Sequence, residues 1–149
     1  MNPFQLTVDC AAPAVMVEFW ATALGYDVQP PPNGFGSWNE YWRSVGVPED
    51  ELDDEQDSAD SVVDPAGHGP RIWFQQVPEP KTVKNRLHLD LSVGGGRTVP
   101  LPTRRERVLA EEARLVAAGA RRLYISETEG LDHFGVVLAD PEGNEFCIN

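Results

Sequence analysis

Two cysteines in 149 residues, Cys10 and Cys147, are too few for the disulfide framework of a small secreted protein, so both are expected to be free thiols. The opening residues MNPFQLTVD lack a charged stretch followed by an apolar core, and no apolar run approaches the roughly 20 residues a membrane helix needs. A soluble, cytoplasmic protein with no membrane partner is the expectation. Basic residues are scarce as well: 12 Lys and Arg stand against 24 Asp and Glu, a net charge of −12 that disfavours nucleic acid as a partner. That acidity is local. Eight acids and no base lie between Glu49 and Asp60, which leaves 16 acids against 12 bases elsewhere. The run lacks the Asp/Asn/Gly spacing of a calcium loop and reads as a solvated segment.

What is present suffices for one domain spanning 1–149, since 41% of residues are apolar and four Trp and six Phe can fill a core. Phe4 to Cys10 alternates, with Leu6, Val8 and Cys10 on one face and Gln5, Thr7 and Asp9 on the other. A helix follows, opened by Pro13 and stopped by Gly25, with Val15, Met16, Phe19, Trp20, Ala23 and Leu24 as its apolar positions. Tyr26 to Gln29 begins a strand that the prolines at 30–32 end. Residues 33–61 form an aromatic and acidic insertion. In it Ser37 and Glu40 spell a capping box before Trp38, Tyr41, Trp42 and Val45, spaced for one helical face. These aromatics either patch a core or subunit contact or cover a ligand pocket. Ser61 to Gly67 reads as a strand ending in a DPxG turn, and Pro70 to Val77 as a strand with Trp73 and Gln75 on one face.

The second half repeats that order. Arg86 to Val93, RLHLDLSV, alternates Leu87, Leu89, Leu91 and Val93 against His88, Asp90 and Ser92. Thr103 and Glu106 spell a second capping box for a helix through Ala118, and strands at Arg121–Ser126, Phe134–Ala139 and Glu145–Ile148 follow, with a second DPxG turn at Asp140–Gly143. Each half is strand, helix, strand, strand, strand: a first βαβββ module over 1–77 and a second over 86–149. The arginines at 97, 104, 105 and 107 form a basic cluster, read as the solvated first turn of the second helix or as partners of the acidic run.

The duplication, the FWATALGY helix end, the DPAG and DPEGN turns and the LVAAGA segment resemble the vicinal oxygen chelate superfamily, which includes glyoxalase I, bleomycin-resistance proteins, fosfomycin-modifying enzymes and extradiol dioxygenases. VPEPKTVKNRLHLDL, VGGGRTVPL and DPEGNEFCI resemble its glyoxalase-like domain proteins more closely. The resemblance implies an α+β fold. Its two modules would make one curved, mostly antiparallel eight-stranded sheet, with helices outside and a central cup, and a homodimer. In the superfamily's enzymes a divalent cation is held by the first and last strands of each module. Those positions fall here on Gln5, His88, Cys147 and Trp73 or Gln75. Gln at the first place is similar to glyoxalase I, whereas Trp73 cannot ligate and Cys147 suits Zn2+ better than Mg2+ or Mn2+. His88 and Glu145 are the remaining metal candidates, and no cofactor is assigned.

His88 is either a pocket base or ligand, or a structural histidine tied to Asp90; if the former, Asp90 orients it for proton abstraction beside a carbonyl. The ligand-lining candidates are Gln5, Thr7, Trp38, Trp42, Trp73, Gln75, His133, Glu145 and Cys147, the last read as a buried thiol rather than a nucleophile. Three functions stay open: a small-molecule-binding protein, with or without metal-independent isomerase or lyase chemistry; a metal-dependent glyoxalase or dioxygenase type; and a sequestering protein that turns nothing over.

Overall fold

The computed structural model describes residues 2–52, 57 and 59–149. It divides into two compact units, Met1–Pro80 and Lys81–Asn149. Of the acidic run, residues 53–56 and 58 lie outside the described residues; of the part inside, Glu49–Glu51 forms a 3-10 turn and Glu49 pairs with Arg43 at 2.7 Å.

The first unit runs β1 (Leu6–Cys10), α1 (Pro13–Leu24), β2 (Asp27–Val28), α2 (Trp38–Ser44), β3 (Ser61–Val63) and β4 (Ile72–Gln76). Its sheet has the order β1-β4-β3-β2, with β1 parallel to β4 and the other pairs antiparallel. Pro13 opens α1, where its missing amide costs nothing, and Gly25 closes it in the left-handed conformation. Met16, Phe19, Trp20 and Ala23 form the buried stripe, as the spacing predicts. Val15 is exposed and Val17 buried in its place, because the stripe turns one position further round the helix than the apolar residues alone suggest. Ser37 caps α2 by accepting the Glu40 amide at 3.0 Å, while the Glu40 carboxylate accepts the Gly36 amide rather than that of Ser37.

The second unit runs β5 (Asp90–Leu91), α3 (Leu101–Ala117), β6 (Arg121–Glu127), β7 (Phe134–Ala139) and β8 (Glu145–Ile148). Its sheet has the order β5-β8-β7-β6, again with the first strand parallel to the last. The two units thus share one topology, and both DPxG turns close alike. Asp64 accepts the amides of Ala66, His68 and Gly69, and Asp140 those of Glu142 and Asn144. Gly67 and Gly143 sit in each turn at φ 71° and 89°, where a side chain would strain the backbone. The fold is α+β, with two four-stranded mixed sheets among the described residues.

Two expectations for this unit need correction. The alternating stretch 86–93 is a strand only over Asp90–Leu91, at the edge of the sheet, with backbone bonds from Cys147 to Leu89 and from Val93 to Asn149 on either side. Leu87 is accordingly 89% exposed and does not share a buried apolar face. In α3, Thr103 lies inside the helix and caps nothing; the helix starts at Leu101 behind Pro100. Its buried face carries Arg104 and Glu112 beside Val108 and Leu115, at the i, i+4, i+8 and i+11 positions of one stripe. Of the arginine cluster only Arg104 is buried, while Arg97, Arg105 and Arg107 stay exposed. Arg104 donates to the Val99 carbonyl and pairs with Asp132, Arg107 donates to the Gly94 carbonyl, and Arg105 pairs with Glu127 while lying 4.7 Å over the Phe134 ring.

Candidate functional site

The pairing of the second sheet sets out a row of side chains. Asp90 stands opposite Cys147, Cys147 opposite Val137, and Val137 opposite Tyr124, so one row crosses all four strands. In the adjoining row Ser126 stands opposite Gly135. Side chains in register project to one side of a sheet, and these positions line a cavity of about 250 Å3 within the second unit. His88, two residues before Asp90, and His133, just ahead of β7, line it too. Gly135 keeps that space open: a methyl group there would approach the Ile148 carbonyl at 3.2 Å and the His133 Nε2 at 3.6 Å.

Within the cavity His88 Nδ1 lies 2.8 Å from Asp90 Oδ1. A carboxylate at Nδ1 fixes the proton there and leaves Nε2 as the acceptor. Cys147 is half-buried, and burial first, then the neighbouring Asp90 charge, push its thiol pKa up. It stays protonated at neutral pH, in keeping with the reading of an inert thiol. His133 Nε2 and the Ser126 hydroxyl lie 3.3 Å apart. Glu145 lines the cavity but is engaged. It accepts the Asn85 amide at 3.0 Å and the Lys81 ammonium at 3.0 Å, and these two hold its carboxyl at about 2.

The site residues expected in the first half are found in the first unit, largely committed to one another. The Arg71 guanidinium gathers Gln29 at 2.6 Å, Gln5 at 2.9 Å and Ser61 at 2.6 Å. Trp73 donates its indole N–H to Asp60 at 2.6 Å, and Thr7 is its register partner on β1 as Asp9 is that of Gln75. Trp38 is buried, donates to the Gln29 carbonyl at 3.0 Å and stacks on Trp42 with ring centres 5.7 Å apart, which makes it part of that unit's packing. Among the candidates, His88, Asp90, His133, Glu145 and Cys147 share one cavity. Tyr124, Ser126, Lys84 and Asn149 also line it and were not singled out from sequence. The face that Tyr124 and Ser126 share is readable from their alternation on β6, but the register that brings that face to Cys147 is not.

A profile for a glyoxalase-like domain matches residues 5–149, nearly the whole chain. The chain belongs to the glyoxalase-like domain family. Solved structures similar to this glyoxalase-like domain include proteins described as glyoxalase/bleomycin resistance/dioxygenase family members. A family enzyme from Burkholderia phytofirmans PsJN is 19% identical, with a TM-score of 0.56 over 97% of this chain and 94% of its own. A glyoxalase/bleomycin resistance protein from Albidiferax ferrireducens T118 is 17% identical, with a TM-score of 0.51 over 97% of this chain and 95% of its own. The fosfomycin resistance protein FosX from Listeria monocytogenes, solved with Mn(II), is 8% identical, with a TM-score of 0.60 over 100% of this chain and 90% of its own. At these identities the likeness is one of fold. No curated protein sequence matches the chain.

A hard divalent cation of the kind the superfamily's enzymes carry wants carboxylate or amide oxygens. At the matching positions here Trp73 offers no ligand atom and its alternative Gln75 one amide, His88 offers one imidazole, Cys147 offers sulfur, and the Gln5 oxygen is bound to Arg71, so none of them is a carboxylate. The adjacent Glu145 is held by Lys81 and Asn85. These residues do not fit such an ion. No helix among the described residues is long and apolar enough to cross a membrane.

Proposed function

We propose that this chain binds a small organic molecule in the second unit's cavity and relocates a proton on it without a metal, in the manner of an isomerase or lyase, with His88 as base. The observation that supports this is the 2.8 Å pairing of His88 Nδ1 with Asp90, in a cavity whose other walls carry hydroxyls and a second imidazole. At about 250 Å3 the space is just below the ~300–1,000 Å3 usual for organic ligands, so the ligand is small.

The chemistry runs as follows. A C–H bond next to a carbonyl breaks, its proton moves to His88 Nε2, and its electron pair forms the C–C double bond of an enolate. Asp90, hydrogen-bonded at Nδ1–H, stabilises the imidazolium that results. The Tyr124 and Ser126 hydroxyls are the nearby donors suited to the developing oxyanion. Return of the proton to the opposite face of the same carbon completes an isomerisation at that centre; departure of a group from the β carbon completes an elimination.

A screen of small carbonyl compounds by thermal shift, with product analysis on those that bind, tests this. Binders should be transformed, and His88→Ala should lose about 10²–10⁴-fold in rate while remaining folded. Ligands that stabilise the protein yet are recovered unchanged would favour a sequestering protein instead. A His88→Ala variant that cannot fold would make that histidine structural.

A further inference from the structure

We propose that the molecule taken by the second unit's cavity is a small oxo acid, whose carboxylate is held by the Lys84 ammonium while its ketone end meets His88. The reacting end of this inference rests on the proton-transfer reading above; the carboxylate end rests on the charges of the cavity wall.

Three lining residues other than the imidazoles carry charge: Lys84, Asp90 and Glu145. Asp90 faces the His88 Nδ1 at 2.8 Å, and Glu145 is paired with Lys81 at 3.0 Å. Lys84 has no hydrogen bond or ion pair with any other of the described residues. Its ammonium nonetheless acts on the same space as the Cys147 thiol: burial and then the Asp90 charge raise that thiol's pKa, and the Lys84 charge opposes them. The backbone beneath Lys84 is fastened. Glu145 on β8 accepts the Lys81 ammonium and the Asn85 amide, each at 3.0 Å, so the chain is tied to the sheet on either side of residue 84.

The net acidity of the chain lies elsewhere. Lys81–Asn149 carries ten Lys and Arg against ten Asp and Glu, so the whole charge of −12 belongs to Met1–Pro80. An anion entering the second unit therefore meets a neutral unit and, on the cavity wall, one cation without a partner. One ammonium offsets one negative charge. A phosphate group would bring up to two beside the Asp90 carboxylate, where like charges repel, so a monoanionic carboxylate fits the wall better. Holding that end also orients the C–H bond presented to His88, which is how binding at a remote group serves the reacting one.

The test measures binding of pyruvate and of acetoacetate to the full chain by calorimetry, each against its uncharged methyl ester. The acids should bind about 10-fold more tightly than the esters, the lower end of what a hydrogen bond to a charged group contributes, because Lys84 is exposed. Lys84→Met keeps the apolar stem and should erase that preference, whereas Lys84→Arg should keep most of it. Salt at about 1 M should weaken the acids and spare the esters, which reads the same charge without any variant. Acids that bind no better than their esters, a preference unchanged in Lys84→Met, or inorganic phosphate bound more tightly than either acid overturns the site. Acids held through Lys84 but showing no deuterium exchange beside the ketone would remove the proton-transfer reading and keep the carboxylate site. Esters bound and exchanged as well as the acids would remove the carboxylate site and keep that reading.

Discussion

Glu145 has its carboxyl held at about 2, by the Asn85 amide first and the Lys81 ammonium next. Those bonds fasten the start of the second unit, residues 81–85, onto β8, immediately before the chain reaches His88. A carboxylate whose folded pKa is depressed adds stability that is present above its ordinary value of 4.5 and lost as pH falls through about 2. Glu145→Gln should therefore lower the unfolding free energy at neutral pH by about 1–3 kcal/mol, the cost of charge-assisted hydrogen bonds lost. It should also flatten the fall in stability between pH 4.5 and 2, as urea unfolding across that range would show. An equally steep acid limb in the variant would mean Glu145 does not fasten this segment. From sequence Glu145 shares a strand face with Cys147 and looks like a ligand. Its partners lie 60 and 64 residues earlier, at Asn85 and Lys81, and no local pattern reveals them.

At the scale of elements, α3 is where reading and structure part most instructively. Its hydrophobic stripe is legible, but the two charged residues on the same stripe are not. Arg104 and Glu112 are buried only because Asp132 and Arg122, from the β6–β7 turn and from β6, meet them there. Buried charge is tolerated when paired, and such pairing is a long-range fact. The consequence concerns the cavity. Arg104 reaches Asp132 beside His133, and Arg105 reaches Glu127 beside Ser126, so one turn of α3 braces both ends of the β6–β7 turn. Arg104→Met keeps the apolar stem and removes the bracing bonds. It should cost about 2–3 kcal/mol and speed amide exchange in residues 94–100 and 128–133, while α1 of the first unit is unchanged. Exchange that rises equally in both units would point to global destabilisation and against a local brace. The edge strand makes a similar case. RLHLDLSV alternates as a strand over eight residues, yet only Asp90–Leu91 is in register with β8, and alternation alone does not say how far an edge strand stays against its neighbour.

For the whole molecule the repeat was the most legible feature. It is written in local signals: Asp-Pro-x-Gly turns whose carboxylates collect three and two following amides, and strand faces of period two. Those signals carry the α+β class and the shared strand order of the two sheets. The site was half legible. His88 and Asp90 are two apart on one strand face, so their pairing follows from local geometry alone. That Cys147, Tyr124 and Ser126 join them depends on register across four strands, which the sequence does not state.

The central claim is that His88, held by Asp90, moves a proton on a small carbonyl compound without a metal. Solvent deuterium tests it most directly. Carbonyl compounds that bind are incubated in D2O with chelator-treated protein, and exchange at the adjacent carbon is followed by NMR. The account predicts exchange above the buffer rate, lowered about 10²–10⁴-fold by His88→Ala and by a smaller factor in Asp90→Asn, which keeps the imidazole but not its charged partner. Exchange at the buffer rate, or a His88→Ala variant that exchanges as fast as the wild type, contradicts it.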